Sequence, residues 1–294
     1  MNSILIITYG RNKELIDTLQ CINKYQGERI ELLVLDNNTT NSLKNDIYNC
    51  IKNKSIYLSY YHTGENMGVA KGRNFLISKA CGEILITLDD DVEVFDITEL
   101  ERKVNLYFME NIKLGAIAFN IINFYSKMQL RHEQPHGNKR KVDFTKNFYT
   151  YYFIGAGHAI KREAYDKAGV YPLDLGLYGG EERDLSFRIL ECGYDILYAS
   201  DIVVYHKVSP NGRMSRKDED FYRYRNQLIV LNRYMPLLYR LTSTIIWSLF
   251  FLLIKKGRII DVYDVIKDIF LLKKKTISKE VLDKLKSVNA RVIF

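Results

Sequence analysis

The chain contains 294 residues, 47% hydrophobic and 27% charged, which is enough for one large domain or two small ones with a sizeable core. These values exclude a disordered tail, a collagen-like fibre and a simple coiled coil. Four separate cysteines without paired spacing argue against a disulfide scaffold or a zinc ribbon and favour a reducing compartment. The net charge of +8 permits nucleic acid, an anionic membrane or phosphate-rich small molecules as partners, without choosing among them.

Strand and helix patterns alternate along the first part of the chain. Its opening apolar run is too short for a secretory signal and has no basic segment before it, so we expect a cytoplasmic protein. Apolar runs predict four buried strands, and helical spacing of apolar residues predicts three helices between them. These strands are Ser3–Thr8, Ile30–Leu35, Ile56–Tyr61 and Ile84–Leu88, and the helices are Glu14–Tyr25, Asn41–Ile51 and Gly68–Ala80. The alternation predicts an α/β fold with a mostly parallel sheet that binds ligands at the carboxyl ends of its strands.

The middle of the chain is less regular. Its predicted elements are a strand at Leu114–Asn123, a helix at Arg162–Ala168, a helix from Glu181 through Leu190, and short strands at Ile196–Ala199 and Val203–His206. The polar and basic stretch Tyr125–Asn147 is predicted to be a surface loop. The polar segment Ser209–Asp220 is predicted to be flexible.

Three consecutive aspartates, Asp89 to Asp91, follow the fourth predicted strand. Adjacent carboxylates repel one another unless a cation lies among them, and their hard oxygen ligands suit Mg²⁺ or Mn²⁺. The alternative is a solvated acidic turn or a helix N-cap. Because the aspartates follow a buried strand of an α/β chain, we interpret them as a metal site.

A second acidic cluster, Gly180-Glu181-Glu182-Arg183-Asp184, follows a glycine pair. Glycines let the backbone approach a ligand closely, and a carboxylate that faces a substrate hydroxyl can act as a general base. Acidic residues in a first helical turn also interact favourably with the helix dipole. Ordinary capping by Glu181 or Asp184 is therefore the alternative to a catalytic cluster.

Isolated basic and histidine residues are weaker signals. Lys71 and Arg73 lie near the predicted N-terminus of a helix, where phosphates are attracted. His206 ends an apolar strand, where a lone histidine is usually structural. Together with an aspartate cluster it can be a third metal ligand, because Mn²⁺ accepts imidazole.

The last part of the chain changes character. Leu241–Ile254 carries no charge, and basic residues lie on both sides of it. It has about 14 residues, fewer than the roughly 17 to 25 that a spanning helix needs. With the amphipathic Ile259–Leu272 and the basic Lys273–Lys275, it predicts an anchor on an anionic membrane surface. The alternative is a buried C-terminal helix or an oligomer contact.

Five short motifs follow one another along residues 1–234. They are Thr8-Tyr9-Gly10-Arg11, Val34-Leu35-Asp36-Asn37-Asn38, Asn66-Met67-Gly68 through Gly72-Arg73-Asn74, the aspartates within Leu88–Val92, and Gly180-Glu181-Glu182-Arg183-Asp184-Leu185 with Arg188. In this order they resemble the family 2 glycosyltransferases, which have the GT-A fold. The segment Tyr224-Arg225-Asn226-Gln227 also looks like that of bacterial members that build surface polysaccharides, including rhamnosyltransferase-like ones.

The resemblance implies an α/β GT-A fold. Its Rossmann-like, mostly parallel central sheet would be flanked by helices and followed by a C-terminal helical extension. Residues 1–123 would form the nucleotide-sugar-binding half and residues 124–234 the acceptor-binding and catalytic half. Residues 235–294 would form the helical, amphipathic extension.

The resemblance also implies a role for each matching residue. Asp36 would contact the nucleotide base, Asp89 the ribose, and Asp91 the Mn²⁺ or Mg²⁺ that bridges the diphosphate. Asp89 and His206 would be further metal ligands. The usual Glu-Asp pair is here Glu181-Glu182, which makes Glu182 the base and leaves Glu181 or Asp184 as alternatives. The full donor-binding set would be Thr8, Tyr9, Arg11, Asp36, Asn38, Asn66, Gly68, Lys71, Arg73, Asp89 and Asp90.

The implied reaction is one displacement that inverts the anomeric carbon of a nucleotide-diphosphate sugar. A divalent cation would neutralise the leaving diphosphate, and a carboxylate would take the proton of the acceptor hydroxyl. We expect a saccharide acceptor, lipid-linked because of the membrane-seeking segment, and a protein peripheral to the inner face of the cell membrane. A homodimer is left open. No nucleic-acid partner is expected, because strand-end carboxylates repel phosphate backbones.

Two other functions compete with this interpretation. A sugar nucleotidyltransferase would carry a glycine- and arginine-rich phosphate loop near its N-terminus, and Tyr9-Gly10-Arg11-Asn12 is too brief for one. A non-catalytic scaffold that binds nucleotide or sugar would have no reason to keep Asp89–Asp91. The sequence therefore favours a metal-dependent inverting glycosyltransferase.

Overall fold

In the computed structural model, which describes residues 1–176, 178–211 and 214–291, a mixed sheet carries helices on both faces. The strands are β1 (Asn2–Thr8), β2 (Ile30–Asp36), β3 (Ile56–His62), β4 (Ile84–Asp89), β5 (Val92–Glu93), β6 (Leu114–Asn123), β7 (Phe148–Thr150), β8 (Gly157–Lys161) and β9 (Asp195–His206). The helices are α1 (Asn12–Ile22), α2 (Lys44–Cys50), α3 (Gly68–Lys79), α4 (Ile97–Glu110), α5 (Arg162–Ala168), α6 (Glu181–Glu191), α7 (Arg216–Tyr234), α8 (Leu237–Leu253), α9 (Ile259–Leu271) and α10 (Lys279–Ser287). A 3₁₀ turn covers Arg131–Glu133.

The sheet has the order β3-β2-β1-β4-β8-β6-β9-β5 among the described residues, and β7 pairs with β9 outside this path. The first four strands in that order are parallel, β8 is antiparallel to both of its neighbours, and β6 and β9 are again parallel. The predicted mostly parallel α/β sheet is confirmed. Its register places Ile7 level with Leu35 on one side and with Asp89 on the other, so β1, β2 and β4 end at the same edge.

Both faces of the sheet are buried, which explains why the central strands are almost continuously apolar. One face packs against α1, α2 and α4, and the other against α3, α5, α6, α7 and α10. In β1, Ile4 and Ile6 point to the first face and Leu5 to the second. Helices on both faces leave the carboxyl edge of the sheet to form a site.

Three irregular segments differ from the sequence predictions. The two short strands predicted around residues 196–206 are one strand, β9, whose register shifts where Phe119 and Asn120 pair with Ala199 and Val203. The segment Tyr125–Asn147, predicted to be a surface loop, contains a buried residue, since Glu133 is only 2% exposed. In the segment predicted to be flexible, Ser209 is buried, although Gly212 and Arg213 lie outside the described residues.

The C-terminal helices pack in two different places. Helices α8 and α9 share a small core with α7, in which the rings of Tyr224 and Phe251 stack 4.3 Å apart. Helix α10 instead inserts Val281 and Leu285 into the main core. The described part of the chain contains no helix that combines the length and the hydropathy needed to cross a membrane.

Candidate active site

A cleft of about 920 Å³ opens where β1 and β4 end at the edge of the sheet. The turn after β1 and the start of α3 line one part of it, and the end of β4 and residues 152–156 line another. The turn before α6 adds Gly179 to Arg183. Helices α7 and α8 contribute Arg223, Tyr224, Gln227, Val230, Trp247, Phe250 and Phe251. Because α/β folds bind ligands at the carboxyl ends of their strands, this cleft is the candidate active site.

Three side chains that can hold a metal ion converge at the cleft. Ligand atoms of Asp89, Asp91 and His206 all lie within 4.8 Å of one another. Asp91 is fully buried, and its Oδ2 accepts a hydrogen bond from the Ser209 amide at 2.8 Å. Its other oxygen, Oδ1, lies 3.1 Å from His206 Nε2.

Sheet pairing brings His206 to the aspartates. Strand β5 follows Asp91 directly and pairs antiparallel with the end of β9, so Val92 lies opposite His206. The next backbone contact continues the pairing, since the Lys207 amide donates to the Asp91 carbonyl at 2.9 Å. The strand pairing, and not any proximity in sequence, therefore assembles the cluster.

This cluster fits a divalent cation. Asp91 Oδ1 and His206 Nε2 are buried and lie against charged neighbours, but within the described part of the chain neither makes a well-formed hydrogen bond. Buried polar atoms without partners are costly, and a cation held between them would satisfy both. Two carboxylates with one imidazole suit Mn²⁺, which accepts both ligand types, better than Mg²⁺, which prefers oxygen.

The local charges favour an ionised Asp91. Burial by itself raises the pKa of Asp91, but contacts with His206 and Arg11 outweigh it and lower the pKa to about 2. Burial lowers the pKa of His206, whereas Asp91 and Glu133 on either side of the ring raise it to about 10. The side chains thus concentrate negative charge around one imidazole.

Arg11 joins the turn after β1 to the aspartates. Its Nη1 donates to Asp90 Oδ1 at 2.9 Å and lies 3.4 Å from Asp91 Oδ1. Burial raises the pKa of Asp90 to about 7 in spite of this arginine. Arg11 also donates from Nε to the carbonyl of Asn211 at 2.7 Å, so it holds the segment after β9 against the site.

The second acidic cluster lies against the first, and Arg73 joins them. Its guanidinium is 5% exposed and donates from Nη1 to Glu182 Oε1 at 2.8 Å. The same group lies 3.5 Å from Asp89 Oδ1 and 3.9 Å from Glu181 Oε1. The Gly155 carbonyl accepts a hydrogen bond from Arg73 Nη2 at 3.3 Å. Arg73 therefore lines the cleft, but its charge is committed to three carboxylates.

The two glutamates differ in their surroundings. Burial, with Glu182 beside it, raises the pKa of Glu181 to about 8 despite Arg73. Glu182 has the more exposed side chain of the two, 17% against 9%. Asp184, the third candidate base, is 1% exposed and binds Arg188 and Arg233. Asp184 is absent from the cleft lining, as judged over the described residues, whereas Glu181 and Glu182 belong to it.

Several residues of the predicted donor set lie in the cleft wall and others do not. Tyr9, Arg11, Asn66, Gly68, Arg73, Asp89 and Asp90 line the cleft. Thr8, Asp36, Asn38 and Lys71 are absent from its lining, as judged over the described residues. Asp36 is fully buried and accepts from the Leu43 amide and the Tyr60 hydroxyl, so it braces the loop after β2. Lys71 is 56% exposed and pairs with Glu65 at 3.1 Å, because the first turn of α3 turns it outward.

Other residues of the site escape sequence reasoning. Glu133 comes from the irregular segment after β6 and contacts His206 Nδ1 through Oε1. Trp247, Phe250 and Phe251 of the apolar segment line the cleft as well as forming helix α8. No local pattern marks Glu133, since it lies in neither a strand nor an acidic run.

Comparisons with known proteins give one family match. The family described as "Glycosyl transferase family 2" matches residues 3–169. An uncharacterized protein of Haemophilus influenzae is 57% identical over 173 residues, which cover 58% of this chain and 93% of the relative. The uncharacterized glycosyltransferase YfnE of Bacillus subtilis is 22% identical over 264 residues, covering 74% of this chain and 67% of the relative.

Solved structures share the fold at low sequence identity. A mannosyltransferase of Pyrobaculum calidifontis in complex with GDP-Man and Mn²⁺ superposes with a TM-score of 0.60 and 15% identity, covering 97% of this chain and 78% of that one. TarS 1-349 of S. aureus in complex with UDP-GlcNAc gives a TM-score of 0.64 and 15% identity, covering 91% and 80%. At these identities the likeness concerns the fold.

Proposed function

Because the chain belongs to glycosyl transferase family 2, we propose that it is a metal-dependent, inverting transferase of a sugar from a nucleotide-diphosphate sugar to a saccharide hydroxyl. The observation that carries the proposal is the junction at Arg73. One buried guanidinium contacts Asp89 of the metal cluster and Glu182 of the second acidic cluster. Donor phosphate and acceptor hydroxyl would therefore meet within one cleft.

Asp89, Asp91 and His206 would hold the cation, Mn²⁺ in preference to Mg²⁺. When bound, the cation would neutralise the charge that develops on the leaving diphosphate. Mn²⁺ in the complex of the Pyrobaculum mannosyltransferase supports this assignment. Tyr9, Arg11, Asn66 and Gly68 would contact the donor from the opposite part of the lining.

Glu182 is the general base in this proposal. The acceptor oxygen forms a bond to the anomeric carbon while the bond from that carbon to the diphosphate oxygen breaks. Glu182 takes the hydroxyl proton, and one displacement inverts the anomeric configuration. Glu181 is the poorer candidate, because it is the more buried of the two, and burial raises its pKa and so favours the protonated form, which cannot accept a proton.

Residues 1–123 would supply most donor contacts and residues 124–234 the base and the acceptor contacts. The acceptor would be a lipid-linked saccharide, which the apolar part of the cleft supports. Phe250 and Phe251 line the cleft, while their neighbours Leu249 and Leu253 on α8 are 50% and 72% exposed. An apolar tail could therefore pass from the cleft to the exposed face of α8 at the inner surface of the cell membrane.

A thermal-shift panel of UDP, GDP, dTDP and CMP, with and without Mn²⁺, tests the donor and metal assignments. A ligand at 100 times its Kd stabilises by about 2.7 kcal/mol, so one nucleotide should raise Tm by several degrees only with Mn²⁺. Asp91→Ala should lose this shift, and the exposed-residue control Asp166→Ala should keep it. No shift with any nucleotide would contradict the proposal.

Hydrolysis of the matching nucleotide sugar then separates an enzyme from a scaffold. The wild type should release the sugar slowly to water in the presence of Mn²⁺, and Glu182→Gln should bind the nucleotide but release at least a hundredfold less. Metal-dependent nucleotide binding with no turnover in either protein would favour a non-catalytic scaffold.

A further inference from the structure

Glu133 is a buried carboxylate that the reaction described above does not use. It is 2% exposed, and it comes from the 3₁₀ turn of the irregular segment between β6 and β7. Its Oε1 contacts Nδ1 of His206, on the side of the ring opposite the aspartates. Its Oε2 is buried without a hydrogen-bond partner in the described part of the chain.

The two nitrogens of His206 therefore face two different carboxylates. Nδ1 faces Glu133, and Nε2 lies 3.1 Å from Asp91 Oδ1, inside the proposed metal cluster. A histidine that binds a cation through Nε2 gives up the proton on that nitrogen, and a carboxylate acceptor at Nδ1 keeps the remaining proton there. The lone pair of Nε2 is then directed at the cation position.

We propose that Glu133 is a positioning residue of the metal site, which holds the His206 ring and its tautomer so that Nε2 can bind a divalent cation. This inference rests on the metal site of the proposed function. A carboxylate behind a ligating histidine typically raises metal affinity by 10- to 100-fold, because it fixes the ring and increases its basicity. The turn after β6 would thus complete a site whose ligands all lie on β4 and β9 or directly after β4.

Titration of the full-length protein with Mn²⁺ alone, with free Mn²⁺ followed by electron paramagnetic resonance, tests the role directly. Glu133→Ala should weaken Mn²⁺ binding by about 10- to 100-fold. Glu133→Gln should recover most of that loss, because its amide oxygen still accepts from Nδ1. The matched control is Glu31→Gln, a buried glutamate that accepts from Ser3 and Cys81 away from the site and should leave Mn²⁺ affinity unchanged.

A double-mutant cycle distinguishes positioning from direct ligation. If Glu133 acts through the histidine, Glu133→Ala should add nothing to the affinity loss of His206→Ala. Additive losses, or a Glu133→Ala protein that binds Mn²⁺ within twofold of the wild type, would overturn the positioning role. A wild type that binds no Mn²⁺ would overturn the metal site itself and this inference with it.

Discussion

The ion pairs around Arg73 depend on one residue without a side chain, Gly155. A Cβ added to Gly155 would lie 2.5 Å from Glu182 Oε1 and 2.6 Å from Arg73 Nη2. No real Cβ tolerates such contacts, so the ion pair would have to move. The backbone at Gly155 approaches the pair closely because its carbonyl also accepts from Arg73.

Gly155→Ala should therefore separate activity from metal binding. We expect donor hydrolysis to fall at least tenfold, Mn²⁺ affinity to stay within twofold, and overpacking to cost about 1–3 kcal/mol of unfolding free energy. Gly115→Ala is the matched control, since its Cβ would meet Tyr194 at 2.7 Å in the core. Equal turnover by the two variants in steady-state assays would contradict the role of the Arg73–Glu182 pair.

The raised pKa of Glu181 makes the free energy of unfolding depend on pH. Burial raises its folded pKa to about 8 from an ordinary value of 4.5. Between these values the folded protein keeps a proton that the unfolded chain has lost, so the free energy of unfolding falls as pH rises through the window.

Glu181→Gln should remove the part of this dependence that Glu181 contributes, whereas Asp90 and His206, whose folded pKa values are also raised, act in the same direction in both proteins. Urea denaturation should show that, between pH 5 and pH 8, the free energy of unfolding of the wild type falls by on the order of a few kcal/mol more than that of the variant. The control Glu110→Gln, at the exposed end of α4, should follow the wild type. The same loss of stability in the wild type and in Glu181→Gln would show that Glu181 is ionised when folded.

At the element scale, the turn before α6 is held in place by the neighbouring helix α7. Gly179 and Gly180 have φ of 78° and 93°, a region that favours glycine. Asn226 of α7 is fully buried and donates from Nδ2 to the carbonyls of Tyr178 and Gly179 at 2.9 and 2.7 Å. This amide sets where α6 begins and so where Glu182 points.

Asn226→Asp keeps the shape of the side chain but should loosen the turn. Its carboxylate faces two carbonyls that it cannot satisfy, which should cost about 2–4 kcal/mol. Donor hydrolysis should fall more than tenfold. Asn232→Asp is the matched control. Asn232 is a buried asparagine of the same helix, and its Nδ2 donates to the Leu228 carbonyl and the Thr244 hydroxyl. If both variants lose stability and keep turnover, the turn does not position the base.

At the scale of the whole molecule, α8 and α9 present an exposed apolar face beside basic residues. Its members with side chains more than half exposed include Leu238, Leu241, Ile245, Leu253, Ile259 and Phe270. Lys255 and Lys256 follow α8, and Lys273 to Lys275 follow α9, all of them exposed. A monomeric protein rarely exposes an apolar patch of this kind without a partner, and the flanking cations favour an anionic surface.

Point substitutions test this face better than a truncation does. Deleting residues 236–294 would also remove α10, whose Val281 and Leu285 belong to the main core. The double variant Leu241→Glu/Ile245→Glu should instead weaken sedimentation with anionic vesicles by at least a hundredfold, since each side chain contributes about 1.5–3 kcal/mol when buried. Ile112→Glu, at an 83% exposed residue, should bind like the wild type.

Light scattering without lipid provides the other arm of this test. A wild type that is dimeric, and a double variant that is monomeric, would assign the face to a second copy of the chain. Vesicle binding that is unchanged in the double variant would show that the membrane contact lies elsewhere.

The α/β class, the parallel strands and the acidic residues at their ends can all be predicted from the order of residues along the chain. These features are local, because a buried strand needs a continuous apolar run and a turn after it can carry ligands. The aspartates after β4 follow such a strand, and the glutamates after Gly180 are marked by the glycine pair before them. The resemblance to family 2 glycosyltransferases also rested on such local motifs and is confirmed by the family match.

How these local pieces combine depends on contacts between distant segments of the folded chain. His206 reaches Asp91 because β5 and β9 pair, and Glu133 reaches His206 from a segment with no sequence pattern. Arg73, expected to face the nucleotide, is committed to carboxylates from both acidic clusters. Contacts of this kind depend on chain segments far apart in sequence, whose approach is set by sheet register and packing and leaves no periodic signal along the chain.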